Sequence, residues 1–164
     1  MNVFKSNQIK SLLFMAAVFV LALSDAKVIA NAAPTIDQGK STVLITGSNR
    51  GIGLSLAQNY AEQGWNVIAT CRKPNKAMDL ISLKKEYSNV NIEELDVTSQ
   101  DQIIALAKKY DGIPIDVLLN NAGILGEVQD QAFGALNDQT FNRVFAVNTL
   151  APLKASEAFI DHVS

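Results

Sequence analysis

Past residue 40 the chain alternates short, continuous apolar runs with longer stretches whose apolar residues recur at helical spacing. Residues 41–46 are a β-branched run, the pattern of a strand buried on both faces. A glycine-rich turn follows, then Ile52, Leu56 and Tyr60 at i, i+4 and i+8, which predict a helix ended by Gly64. The same succession then repeats. Residues 66–71 predict a second strand, and residues 76–87 a second helix with Leu80, Ile81 and Leu83 inward. Residues 90–95 predict a third strand. A third helix starts near Ser99, whose hydroxyl and Gln102 three residues on form a capping-box pattern, and Ile103, Leu106 and Tyr110 give it an apolar stripe. Residues 115–119 predict a fourth strand, and a long helix begins near Asn137 or Asp138 and runs to the last residue. Strands alternating with helices imply right-handed βαβ units, and so an α/β fold around a parallel sheet.

The first 32 residues do not share this pattern. Lys5 and Lys10 precede an uncharged apolar run, Leu12 to Leu23, and Ala30-Asn31-Ala32 supplies a small-x-small ending. A basic start, an apolar middle and that ending predict a signal peptide over residues 1–32, cleaved after Ala32. The run is shorter than the roughly 20 residues that span a bilayer. An uncleaved membrane anchor and an upstream start codon remain the other readings. Localisation is accordingly exported (periplasmic or secreted) on the first reading, membrane-anchored or cytoplasmic on the others. Residues 33–40 read as a polar linker, and residues 41–164 as the domain.

Composition narrows the function more than the fold. With 164 residues, 48% hydrophobic, one globular domain is the natural expectation. A net charge of −2 without a basic run gives no electrostatic case for nucleic acid as a partner. The single cysteine, Cys71, lies inside the second predicted strand and reads as a small buried hydrophobe. The single histidine, His162, excludes a multi-histidine metal site and reads as a surface residue near a helix end.

Chemistry enters at the first turn. Gly47, Ser48, Asn49, Arg50, Gly51, Ile52 and Gly53 lie between a predicted strand and a predicted helix. Glycines there let the backbone turn sharply and approach a phosphate, while free N–H groups at the helix start point toward the anion. The spacing is G-x-x-x-G-x-G, preceded by Thr46. With Asp96-Val97 after the third strand, Asn120-Asn121-Ala122-Gly123 after the fourth, and Asn148 in the long helix, it resembles the short-chain dehydrogenase/reductase family. Ala69-Thr70-Cys71-Arg72, Leu95-Asp96-Val97-Thr98 and the stretch from Val147 to Pro152 look like the C-factor and carbonyl-reductase-like members.

That resemblance implies the N-terminal half of a Rossmann-type, doubly wound parallel sheet with four strands in the order 3-2-1-4. It implies a dinucleotide on the first turn, adenine against Asp96 and Val97, and Asn121, Ala122 and Gly123 bordering the cofactor. It also implies an NADP(H)-dependent oxidoreductase acting on small carbonyl or alcohol substrates, with Asn148 catalytic. The family usually forms homo-oligomers through the long helix starting near Asp138. The alternative is a non-catalytic dinucleotide-binding or extracellular signalling protein.

The residues themselves bear on which nicotinamide is held. An acidic side chain ending the second strand would bind a ribose 2′-hydroxyl and repel a 2′-phosphate. Here that strand runs into Arg72, and Arg50 sits in the phosphate turn. Two guanidiniums suit a phosphate dianion, so NADP(H) is expected over NAD(H).

Asn148 shares a helical face with Phe141, Val144 and Phe145, and Pro152 lies four residues beyond it. Proline lacks the N–H that would reach the Asn148 carbonyl and crowds it, so the helix should depart from regularity there. The family's catalytic serine and its Tyr-x-x-x-Lys motif have no counterpart: Tyr60, Tyr87 and Tyr110 all precede Asn120 and none has Lys four residues later. A fragment of a longer protein, C-terminally truncated, is the expectation, with Phe141, Val144 and Phe145 left uncovered.

Overall fold

The computed structural model describes residues 34–163. The predicted signal peptide or anchor lies outside the described residues. Four strands, β1 (Thr42–Ile45), β2 (Asn66–Cys71), β3 (Val90–Glu94) and β4 (Val117–Leu119), form one sheet in the order β3-β2-β1-β4. All three pairings are parallel, with Leu44 opposite Ile68 on one side and opposite Leu118 on the other. This is the N-terminal half of a Rossmann-type sheet.

The helices are α1 (Gly51–Glu62), α2 (Met78–Glu86), α3 (Gln100–Lys109), α4 (Asp138–Phe145) and α5 (Ala151–Ala158). Alternating side chains of the sheet feed two cores. Val43, Ile45, Val67 and Ala69 pack with α1 and α2, whereas Leu44 and Ile68 pack with α3 and α5. Both faces of β1 and β2 are therefore covered, which is why their sequences are largely apolar without alternation and every residue in them is buried. Fully burying a side chain such as Leu44 or Ile68, both at 0% exposure, stabilises the fold by about 1.5–3 kcal/mol.

Several expectations are corrected in detail. The Ile52-Leu56-Tyr60 stripe is not the buried face of α1; Gly53, Ala57 and Ala61 are. Small side chains let this helix lie close on the sheet, with Leu56 and Tyr60 flanking and Ile52 74% exposed. The second helix begins at Met78 rather than residue 76, because Pro74–Lys76 form a separate 3-10 turn. Ser99 caps α3 by accepting from the Gln102 N–H at 3.3 Å, but the Gln102 side chain does not return to Ser99. It accepts instead from the Asp96 N–H at 2.6 Å.

Ile115 does not start β4. It pairs with Val163, and its N–H donates to the His162 carbonyl at 2.8 Å. The long helix therefore does not continue to the chain's last residue: α5 stops at Ala158, and the segment after it turns back to lie beside the residue leading into β4. His162 is thereby drawn off the surface. Its ring leans on Phe159 with centroids 5.2 Å apart, and its Nε2 lies 3.1 Å from the Ala107 carbonyl.

The residues just before β1 are tied down. Thr35 exchanges two hydrogen bonds with the Asn91 amide (3.1 and 2.9 Å), and buried Asn66 accepts from the Asp37 N–H at 3.0 Å while donating to its carbonyl at 2.8 Å. At the far edge, fully buried Tyr110 donates to Glu93 at 2.7 Å, and Lys109 pairs with the same carboxylate.

Candidate functional site

At the C-terminal end of β1 the chain makes a tight knot. Gly47 has φ +70° and Gly51 φ +56°, left-handed conformations that glycine adopts without strain. A Cβ on Gly47 would stand 2.9 Å from the Ala122 Cα, and one on Gly53 would run into the Gly47 carbonyl oxygen. The Thr46 hydroxyl fastens the neighbouring loop by accepting from the N–H groups of Asn121 and Ala122, both at 3.0 Å. The Asn121 amide returns the favour, donating to the carbonyls of Thr46 (2.9 Å) and Gly47 (3.0 Å). Two loops, after β1 and after β4, are thus held as one rigid wall.

Helix α1 starts from that wall with its N-terminus open. Arg50 provides no side-chain cap, the first turn holds no acidic residue, and the ladder begins only with Leu54 N–H to Arg50 at 3.3 Å. The preceding N–H groups and the positive end of the helix dipole are left for an anion.

These elements border a cleft of about 690 Å³. Of the sequence-selected residues, Gly47, Asn49, Arg50, Gly51, Ile52, Gly53, Arg72, Asp96, Val97, Asn121, Ala122 and Gly123 all line it. Ser48 does not: it is fully buried, its hydroxyl donating to Ile45 and its N–H to Thr70, each at 2.8 Å. The exposure of Ile52 now has a reason, since it faces the cleft rather than the core.

Asp96 forms the wall opposite the phosphate turn. Its carboxylate accepts from the Thr98 hydroxyl (2.7 Å) and N–H (2.9 Å). Those two bonds outweigh the opposing effect of burial and, with a lesser attraction from Arg72, hold its pKa below the usual carboxylate value. Cys71 also lines the cleft and is 3% exposed; burial pushes its thiol up, the Lys73 backbone pulls it partly back, and Glu94 adds to the rise.

Asn148 stands at the cleft's edge, beside Val147 and Ile124, which line it. Its amide donates to the Ile124 carbonyl at 2.8 Å and accepts from the Ile124 N–H at 2.9 Å. The helix is irregular here, as Pro152 predicts. Residues Ala146–Leu150 form a π-helical turn, with the Ala151 N–H reaching back five residues to Ala146. Phe141 and Phe145 are exposed, at 48% and 55%, while Val144 is half-buried against Gly126. Among the described residues, no tyrosine lines the cleft.

Sequence reasoning named Thr46 in the motif and Gln102 in a helix cap without giving either its role at the site, and it did not select Ile124. Thr46 carried a signal, its place directly before Gly47. Gln102 and Ile124 carried none for these roles, because the Gln102 side chain meets the Asp96 N–H, and the Ile124 backbone meets Asn148, only once the chain has folded.

Residues 41–164 match the family model for short chain dehydrogenase. An uncharacterised oxidoreductase of Schizosaccharomyces pombe is 37% identical over 70% of this chain and 46% of its own length. The NADPH-bound carbonyl reductase from chicken fatty liver superposes with a TM-score of 0.69 at 33% identity, covering 75% of this chain and 51% of that one. A carbonyl reductase from Pseudomonas aeruginosa PAO1 in complex with NADP gives 0.70 at 29% identity, covering 76% and 54%. The chain spans about half the length of the curated relatives it matches.

Proposed function

The chain belongs to the short-chain dehydrogenase family, and on that premise we propose that residues 41–164 are the cofactor-holding half of an NADP(H)-dependent oxidoreductase acting on small carbonyl or alcohol substrates. One observation carries the reading. An uncapped helix N-terminus, two close-packed glycines and two arginines with no acid at the end of β2 surround a single cleft.

The residues present fit the cofactor. The N–H groups at the start of α1 would hold the pyrophosphate, and Gly47 and Gly53 leave room for it where a Cβ would intrude. Arg50 and Arg72 would take a ribose 2′-phosphate, each able to present a fork of donors. Asp96 and Val97 would border the adenine, and Asn121, Ala122 and Gly123 the far end. When bound, the nicotinamide supplies or accepts the hydride. The side chain of Asn148 is occupied by Ile124, so its contribution to a proton relay would come from its main-chain carbonyl.

The test is a fluorescence titration of the purified chain with NADPH and with NADH. Binding of NADPH roughly tenfold tighter or more, about 1.4 kcal/mol, supports the reading. Equal affinity, or no saturable binding, overturns it. The second reading is a non-catalytic dinucleotide-binding protein. Consumption of NADPH with a small aldehyde or ketone separates the two.

A further inference from the structure

Strand β3 ends at Glu94, and the last rung between it and β2 is the bond from the Leu95 N–H to the Cys71 carbonyl at 3.0 Å. Asp96 is the first residue beyond that ladder, so its N–H has no strand to donate to and needs another partner. The Gln102 Oε1 takes the bond at 2.6 Å, from the first turn of α3. The Asp96 carbonyl is held from the same place, accepting from the Ser99 N–H at 2.9 Å. Both main-chain polar groups of Asp96 are therefore fixed by the start of α3.

Leu95 and Val97 are buried on either side of Asp96, in the core that also holds Ile103. Those two anchors fix where the segment lies. The bonds from Gln102 and Ser99 fix how the peptide groups of Asp96 are turned, and hence the direction in which its side chain leaves the backbone. The carboxylate so placed is divided in use. Both bonds from Thr98 go to Oδ1, whereas among the described residues Oδ2 has no hydrogen-bond partner. Asp96 lines the cleft, and Oδ2 is an acceptor left for a ligand.

We infer that Gln102 is a positioning residue for the base: by holding the Asp96 N–H it aims the free carboxylate oxygen so that the cleft tells a 6-amino purine from a 6-oxo one. The inference rests on the NADP(H) reading above. A 6-amino group donates to Oδ2, whereas a 6-oxo group sets a second acceptor against it. A site built around a fixed acceptor rejects the ligand that cannot donate to it, and rejects it less once the acceptor is free to swing away. Gln102 acts here through Asp96, not by touching the base.

The experiment measures binding of NADPH and of its hypoxanthine counterpart, reduced nicotinamide hypoxanthine dinucleotide phosphate, to the full chain and to its Gln102→Met, Gln102→Glu and Asp101→Ala variants. The two ligands carry the same charge, so their affinity ratio cancels any electrostatic change that a variant brings. The parent should favour NADPH by on the order of tenfold. Gln102→Met keeps the side chain's length and loses its acceptor, and the ratio should fall roughly threefold or more. Gln102→Glu keeps an acceptor for the Asp96 N–H and should hold the parent's ratio. Asp101→Ala removes an exposed acid from the first turn of α3, away from the cleft lining, and should cost stability without moving the ratio. A Gln102→Met variant that loses stability yet keeps the parent's ratio confines Gln102 to holding the fold and overturns the inference. Should that variant not fold, Gln102→Asn, one methylene short of the same reach, gives the same readout. A parent that binds NADPH without telling the two bases apart overturns the inference and spares the NADP(H) reading. A parent with no saturable NADPH binding overturns both.

Discussion

Asn148 and Ile124 exchange two hydrogen bonds, the amide donating to the carbonyl at 2.8 Å and accepting from the N–H at 2.9 Å. This pairing mimics one rung of a sheet and fixes the loop after Gly123 to the π-helical turn. An aspartate there would keep the acceptor and set an oxygen against the Ile124 carbonyl. Asn148→Asp and Asn148→Ala should each lower stability by about 1–2 kcal/mol, with Asp the worse, read as the midpoint of urea denaturation. Midpoints unchanged in both variants would show that the clamp does not contribute to the fold.

Arg72 follows directly on β2 and lines the cleft. An acid at this position can accept from a ribose 2′-hydroxyl and repels a 2′-phosphate. Arg72→Asp should therefore lower the affinity for NADPH by roughly 1.4 kcal/mol or more, tenfold, and raise that for NADH. Titration with both dinucleotides checks it; parallel changes in the two affinities would count against a role at the 2′ position.

The strands were legible in the sequence because a parallel strand covered on both faces is mostly apolar, as Val43–Ile45 and Val67–Ala69 are, with the polar Thr42, Asn66 and Thr70 buried beside them. Helix α1 was legible as a helix but not in its orientation. Hydrophobic periodicity weights large side chains, whereas close approach to the sheet selects Gly53, Ala57 and Ala61 for having almost none. Ile115 and His162 were misread for a shared reason. Each is placed by the other's segment, through a bond between residues far apart in the chain that no local pattern encodes.

In the cleft, the residue types that approach a phosphate stood out, because glycines and arginines at a strand-to-helix turn are chemically marked. Ser48 belongs to the same motif but turns inward, since one hydroxyl suffices to satisfy the Ile45 carbonyl left at the strand's end. Proline at position 152 announced an irregular helix. That the irregularity would be a π turn over Ala146–Leu150 depends on how the flanking segments pack, not on the proline alone.

Asp96 provides a pH-dependent handle. Its two bonds from Thr98 favour the carboxylate, so its folded-state pKa lies below the unfolded value of roughly 3.9. A depressed acid stabilises the fold fully above the unfolded pKa, and that contribution is lost as pH falls through the folded one. Wild type should therefore be more stable than Asp96→Asn at neutral pH, with the gap closing in the acid range below about pH 4. Urea denaturation at a series of pH values measures the gap; one that stays constant to the lowest pH would mean the carboxylate's charge is not what Thr98 holds.

Two of the three glycines of the phosphate turn, Gly51 and Gly53, should respond to alanine for different reasons. Gly51 has φ +56° but open space where a Cβ would go, so Gly51→Ala meets backbone strain alone, about 1–2 kcal/mol. Gly53 has an ordinary φ, yet its Cβ would collide with the Gly47 carbonyl and stand 2.5 Å from the Asn121 amide nitrogen. Neither neighbour can yield cheaply, because the same Asn121 nitrogen bonds the carbonyls of Thr46 and Gly47 and so holds the two loops together. Gly53→Ala should therefore cost about 1–3 kcal/mol by overpacking, or more. It should also displace the wall that faces the anion, weakening NADPH at least as strongly as it weakens the fold. Gly51→Ala should cost stability while leaving much of the binding. Thermal unfolding and NADPH titration, run on both variants, give the two axes. Equal binding losses in the two would mean that conformational freedom, not the close approach of Gly53 to Gly47, is what the turn requires of its glycines.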